Sequence, residues 1–192
     1  RTWESGTGRE KICTDLHYTF ESGGKIQVRM DTSVPEGYPC LPRIGTELQV
    51  PKEFCEVNWY GRGKTETYPD RKMSVPIGAY REQVDEQECP YLVPGEWGGH
   101  EDTEWMELRD QAGCGIRIQA ETPFHFDAHR NSIREYEQAA HWHELPEGDR
   151  IWLHIDGIFA GLGGDTGWFQ TIHPEYQIGA GEYTMSYRME PV

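Results

Sequence analysis

The chain has 192 residues, enough for one domain of ordinary size or two small ones with a working core. Hydrophobic residues make up 36% and charged residues 27%, and no apolar run is long enough to read as a membrane-spanning helix. With 33 acidic against 18 basic residues the net charge is −15, a field that repels phosphate backbones and anionic lipid, so neither nucleic acid nor membrane is expected as a partner.

Glycine (22) and proline (12) are scattered, as many turns between short strands require, so the composition predicts an all-β fold. The opening RTWESGTGREK lacks the apolar core of a signal peptide, which makes a cytoplasmic location the expectation, although a first residue of Arg suggests processing or a cut chain. In chain order, KIQVRM (25–30), TELQV (46–50), EVNWY (56–60) and GIRIQAE (115–121) alternate apolar and polar residues and predict strands. EQVDEQE (82–88) and EWGGHEDTEW (96–105) read as polar loops, and GRGK (61–64) as a turn. NSIREYEQAAHW (131–142) predicts one short helix, with Ser132 and Glu135 at capping-box spacing and Ile133, Tyr136, Ala139 and Ala140 as its covering face. RIWLHIDGIF (150–159) and EYTMSYRME (182–190) are again strand-like, the latter placing Tyr183, Met185, Tyr187 and Met189 on one buried face. No repeat or linker divides the chain, so residues 1–192 are expected to form a single β-sandwich domain.

Candidate chemistry is sparse. Five cysteines, at 13, 40, 55, 89 and 114, form no CxxC and are expected to be free thiols. Seven tryptophans occur, and six of them suit packing; Trp168 follows the glycine-rich string GLGGDTG after a predicted strand, where an indole is available for stacking on a sugar ring. His141 and His143 with Glu144 form an HxHE string, and His154 with Asp156 an i, i+2 pair, but linear spacing brings no converging third ligand to either, and no metal site is expected there or at HEDTE (100–104). No pair among the 33 acidic residues is singled out as a glycosidase dyad, and GxSxG, P-loop and GxGxxG strings are absent.

NWYGRGKTETYPDR (58–71), YLVP (91–94), PFHFDAHR (123–130), IWLHIDGIFAGLGGDTGW (151–168) and HPEYQIGAGEY (173–183) together resemble the C-terminal domain of large bacterial β-galactosidases of glycoside hydrolase family 2, which in some members is a separate small chain. The resemblance runs from about Pro42 to Arg188. It implies an antiparallel β supersandwich similar to the galactose mutarotase-like fold, with some strands upstream of Arg1. It also implies that the catalytic glutamates, and the Mg and Na of the full enzyme, belong to a separate (β/α)₈ barrel domain, leaving this chain without a cofactor or catalytic residue and inactive alone. Its partners would be the rest of the enzyme chain, or a large catalytic subunit, and a lactose-like β-galactoside. By motif position the substrate-stacking tryptophan is Trp168, with Asp165 shaping its loop. Lys64 and Thr67 stand where the family usually has Pro and Asn, and Thr166 and Gly167 where members often carry Asp and Ser. YPDR, with Asp70 and Arg71, reads as an ion pair or turn.

Two other readings compete. A free-standing carbohydrate-binding module or an aldose epimerase could use the same fold, the latter recruiting His125, His154 or His173 with a carboxylate. A structural domain whose aromatic surface contacts the rest of a large enzyme is the third.

Overall fold

A computed structural model describes residues 11–89, 91–95, 97–165 and 171–192. Its nine strands are β1 (Cys13–Phe20), β2 (Ile26–Val34), β3 (Arg43–Pro51), β4 (Glu56–Arg62), β5 (Ile77–Gln83), β6 (His100–Arg109), β7 (Gly115–His129), β8 (Arg150–Phe159) and β9 (Gly181–Pro191), with one helix, α1 (Ile133–Gln138). Every pairing between them is antiparallel, in the order β1-β2-β9-β7-β6-β4-β5, with β3-β8 branching from β7. The all-β expectation with one short helix therefore holds.

The branch follows from the length of β7. Its first half (Ile116–Ala120) pairs with β9 and its second half (His125–His129) with β8, while β6 runs along the other edge. Where it changes partner, at 121–123, the residues are exposed and Pro123, which has no N–H for a ladder, sits in the break. One strand thus serves two layers. The layers face each other: Tyr187 of β9 meets Thr46 of β3 through hydroxyls 2.8 Å apart, and Gly157 of β8 packs on the Met185 side chain. Between them lies a core of Val28, Met30, Val57, Trp59, Met106, Leu108, Ile118, Phe126, Ile151, Leu153 and Ile155. Burying each such side chain contributes about 1.5–3 kcal/mol relative to exposure. The Trp59 indole N–H is satisfied by the Arg62 carbonyl at 2.8 Å, which removes the penalty of burying it.

The six predicted strands are all present, and Met185 and Tyr187 are buried with Tyr183 and Met189 packed against the core. The Ser132–Glu135 capping box is formed in both directions, but the helix is only six residues long: Ala139 is already its extended C-cap, so Ala139 and Ala140 do not extend the covering face. Tyr136 alone is fully buried, edge-on to Trp97 and His129.

Other readings are corrected. HEDTEW is strand β6, not loop: a bulge sets His100 and Thr103 opposite Phe126 and Phe124, two intervening residues against one, and destroys the period-two pattern. Asp102 in that bulge has φ 53°, and its carboxylate receives Arg62 Nε at 2.6 Å and Lys72 Nζ at 2.7 Å. Gly61 and Arg62 of GRGK close strand β4 rather than forming a turn. EQVDEQE opens as the end of β5 and continues into a short 3₁₀ turn around fully buried Val84.

Candidate functional site

Two assemblies of charged side chains stand out, one inside the sandwich and one at its rim. The inner one lies where β7 and β8 pair, with His125 opposite Asp156 and Asp127 opposite His154. Alternation puts His125, Asp127 and His129 of β7 on the same face as His154 and Asp156 of β8, all less than 5% exposed. Arg43, at the start of β3, closes the group. Its Nη2 donates to Asp127 Oδ2 at 2.7 Å and to Asp156 Oδ2, and its Nε donates to Asp156 Oδ1 at 3.2 Å. Both ring nitrogens of His154 face carboxylates, Asp127 Oδ1 at 2.5 Å and Glu47 Oε2 at 3.1 Å.

The electrostatics agree with the geometry. Burial works against the Asp127 carboxylate, yet the charges of Arg43, His154 and His129 override it and hold the group well below the usual carboxylate range. Burial likewise opposes an imidazolium at His154, but the Asp127 charge and hydrogen bond raise it above the ordinary histidine value. His125, Asp127 and Asp156 present ligand atoms within 4.8 Å of one another, but the guanidinium of Arg43 already lies on both carboxylates as their cation. This cluster is closed and structural.

The rim assembly is built on loops. YPDR folds as a tight turn, with reciprocal backbone hydrogen bonds between Tyr68 and Arg71 at 3.2 and 2.8 Å. Arg71 pairs with Glu66 at 3.3 Å, not with Asp70. Asp70 instead turns to the glycine-rich segment, where its Oδ2 accepts the Gly163 N–H at 2.8 Å. Gly163 (φ 68°) and Gly164 (φ 84°) are both left-handed, and a Cβ on Gly163 would stand 2.6 Å from the Thr171 carbonyl. The chain therefore leaves and returns at one point. On the returning side His173 Nε2 lies 2.9 Å from Asp165 Oδ2, both side chains more than half exposed. The Asp165 hydrogen bond and charge raise the His173 imidazole above its ordinary value.

Asp70, Arg71, Asp165, His173, Glu175 and Tyr176 line a cavity of about 530 Å³ at this rim. Carboxylates that accept, a guanidinium that donates and a tyrosine ring suit a neutral, hydroxyl-rich ligand. Asp165 and His173 flank the segment that carries Trp168, which itself lies outside the described residues, as do Trp3, Thr166 and Gly167. Of the remaining tryptophans Trp59 and Trp97 are buried, Trp105 lies under the Arg117 guanidinium, and Trp142 is half exposed. The three histidines available to an epimerase do not converge: His125 and His154 belong to the inner cluster and His173 to the rim.

Sequence reading missed Glu66. It is 4% exposed, accepts from Tyr68 Oη and the Gly98 N–H at 3.1 Å and from Tyr91 Oη, and ties the YPDR turn to YLVP. Burial pushes its carboxyl up, but these hydrogen bonds and Arg71 bring it below the ordinary value. A carboxylate two positions before a Tyr-Pro turn was the one available signal. All five cysteines are free, and among the described residues no helix is long and apolar enough to cross a membrane.

A family model described as the β-galactosidase small chain matches residues 4–189. A β-galactosidase of Vibrio cholerae is 34% identical over 165 residues, covering 86% of this chain and 15% of that protein. One from Streptococcus thermophilus is 31% identical over 187 residues, covering 96% and 18%, and one from Bifidobacterium adolescentis 33% over 172 residues, covering 88% and 15%. The chain thus spans less than a fifth of the length of these curated relatives. On a match that covers nearly its whole length, the chain belongs to the β-galactosidase small-chain family.

Proposed function

We propose that this chain works in the hydrolysis of lactose-like β-galactosides as the C-terminal or small-chain domain of a family 2 glycoside hydrolase, contributing structural support and a stacking tryptophan, Trp168. The catalytic glutamates, with any Mg or Na, would lie in a separate barrel domain or large subunit. The observation that carries the reading is the rim cavity: the described residues on either side of Trp168 in sequence, 163–165 and 173, line it together with Asp70, Arg71 and Tyr176, groups suited to a hydroxyl-rich ligand, and Asp70 fixes Gly163. Tyr91, Leu92 and Val93 are 50–69% exposed and Met73 is 90% exposed, apolar side chains suited to contact with the rest of the enzyme.

A single set of assays tests this. A chromogenic β-galactoside is offered to the chain alone, to the chain mixed with its barrel-bearing part, and to the same mixture carrying Trp168→Leu. Silence alone, activity on mixing, and several-fold weaker acceptor binding with a nearly unchanged chemical step in the variant are expected, since stacking contributes about 0.5–1.5 kcal/mol beyond area burial. Turnover by the chain alone, or unchanged acceptor affinity in the variant, would overturn the corresponding half of the reading.

A further inference from the structure

The link between α1 and β8 contains a group that the β-galactosidase reading does not use. A 3₁₀ turn, Trp142–Glu144, follows His141, and backbone bonds from Glu144 N to His141 O (3.0 Å) and from Leu145 N to Trp142 O (3.2 Å) fix its shape. The turn supplies the convergence that linear spacing lacks. His141 and His143 stand with rings nearly parallel, 21° apart and 5.4 Å between centroids, and Glu144 Oε1 lies 3.2 Å from His141 Nδ1. One ligand atom from each of the three lies within 4.8 Å of the others.

We propose that His141, His143 and Glu144 form a surface site for a divalent transition-metal ion of the zinc class. Two ligands each about 2.1 Å from a tetrahedral ion lie about 3.4 Å apart, so His141 Nδ1 and Glu144 Oε1 are already at bite distance. The third ligand, His143, is exposed, and its ligand atom lies within 4.8 Å of those of the other two. The carboxylate is also oriented from behind, since Glu144 Oε2 accepts the Ala140 N–H at 3.0 Å, the kind of supporting bond that fixes a ligating group. Coordination through Nδ1 needs only that the ring hydrogen move to Nε2, so the imidazole stays neutral. Two imidazoles select zinc, copper or nickel over magnesium or calcium, which require oxygen ligands. Three protein ligands leave a position for water, and the −15 net charge draws cations to the surface. The bound ion would pin the link next to a cleft of about 950 Å³, onto which Trp142 opens.

The test is calorimetric titration of zinc chloride into the intact, chelator-stripped protein, with His143→Asn, Glu144→Gln and His173→Asn variants alongside. The wild type should take up one zinc equivalent at micromolar concentration that His143→Asn and Glu144→Gln lose or weaken by about 100-fold. His173→Asn, which alters the other exposed histidine–carboxylate pair, should retain it. Cobalt in place of zinc should give the visible bands of a four-coordinate ion in the wild type and not in His143→Asn. Identical isotherms for wild type and both ligand variants, or uptake only at millimolar zinc, would overturn the site. All three side chains are surface groups, so the folded variants can be verified by their unchanged circular dichroism.

Discussion

The inner cluster and the rim use the same vocabulary of aspartate, histidine and arginine, and only their surroundings differ. Asp127 and Asp156 are 2% exposed, and each is bonded by Arg43 and by a histidine. Asp165 and His173 meet in the open. In the interior a charge is tolerated only when fully paired, so the groups serve one another and nothing else. At the rim water already solvates them, and a sugar hydroxyl can take the place of water at small cost.

The largest expected effect breaks the inner pairing. Arg43→Met keeps the stem of the side chain but leaves two buried carboxylates without their shared cation, and removing one partner of a buried pair costs about 3–5 kcal/mol. The urea midpoint should fall sharply, with loss of the folded chain near physiological temperature if the total stability is ordinary. An unchanged midpoint would mean that the cluster is hydrated in solution and that the contrast with the rim is false.

Asp70→Ala sharpens the comparison, because Asp70 stands between the two regimes. Its Oδ2 holds the Gly163 N–H, while its Oδ1 is buried without a protein partner. Hydrogen bonds to charged groups contribute about 1.5–3 kcal/mol, and relief of the unpartnered oxygen places this change at the low end. The midpoint should shift modestly while acceptor binding falls as it does for Trp168→Leu. Asp70→Asn, which retains an acceptor for Gly163, should restore both. Loss of global stability on the scale of Arg43→Met would assign Asp70 to the core.

What the sequence disclosed follows the same division. Strands β2, β4 and β9 alternate because one face of each meets the core, whereas β7 and β8 are buried on both faces beside the inner cluster and alternate between apolar and ionisable residues; Ser132 and Glu135 cap α1 through contacts three residues apart. Strand β5 escaped notice because its inward positions are Gly78, Tyr80 and Glu82 while Ile77 and Ala79 face solvent, the reverse of a half-buried pattern. Strand β1 is an edge with Tyr18 and Phe20 exposed, and its pattern depends on pairing with β2. Glycine-rich punctuation and the family strings singled out Asp165, which lines the rim cavity, and Trp168, which lies outside the described residues. Nothing local foretold that Asp70 would anchor Gly163, 93 positions away, or that Arg43 would sit on Asp127 and Asp156, because such contacts are set by sheet topology.

The smallest expected effect tests the contrast by titration. His173 is raised by Asp165, so their pairing contributes below the ordinary histidine value of about 6.5 and is lost as pH rises through the higher folded value. His154 is raised as well, with the same sign, but by a partner sealed from solvent. Added salt screens an exposed pair and leaves a buried one largely untouched. In a proton-resonance titration of the ring hydrogens, Asp165→Asn should bring His173 down toward the ordinary value, and one-molar salt should move wild-type His173 in the same direction. His154 should ignore both changes, and its titration should accompany the loss of stability on the alkaline side. Equal salt shifts at the two histidines would show that the inner cluster is open to water, and would remove the physical ground for treating one assembly as scaffold and the other as binding surface.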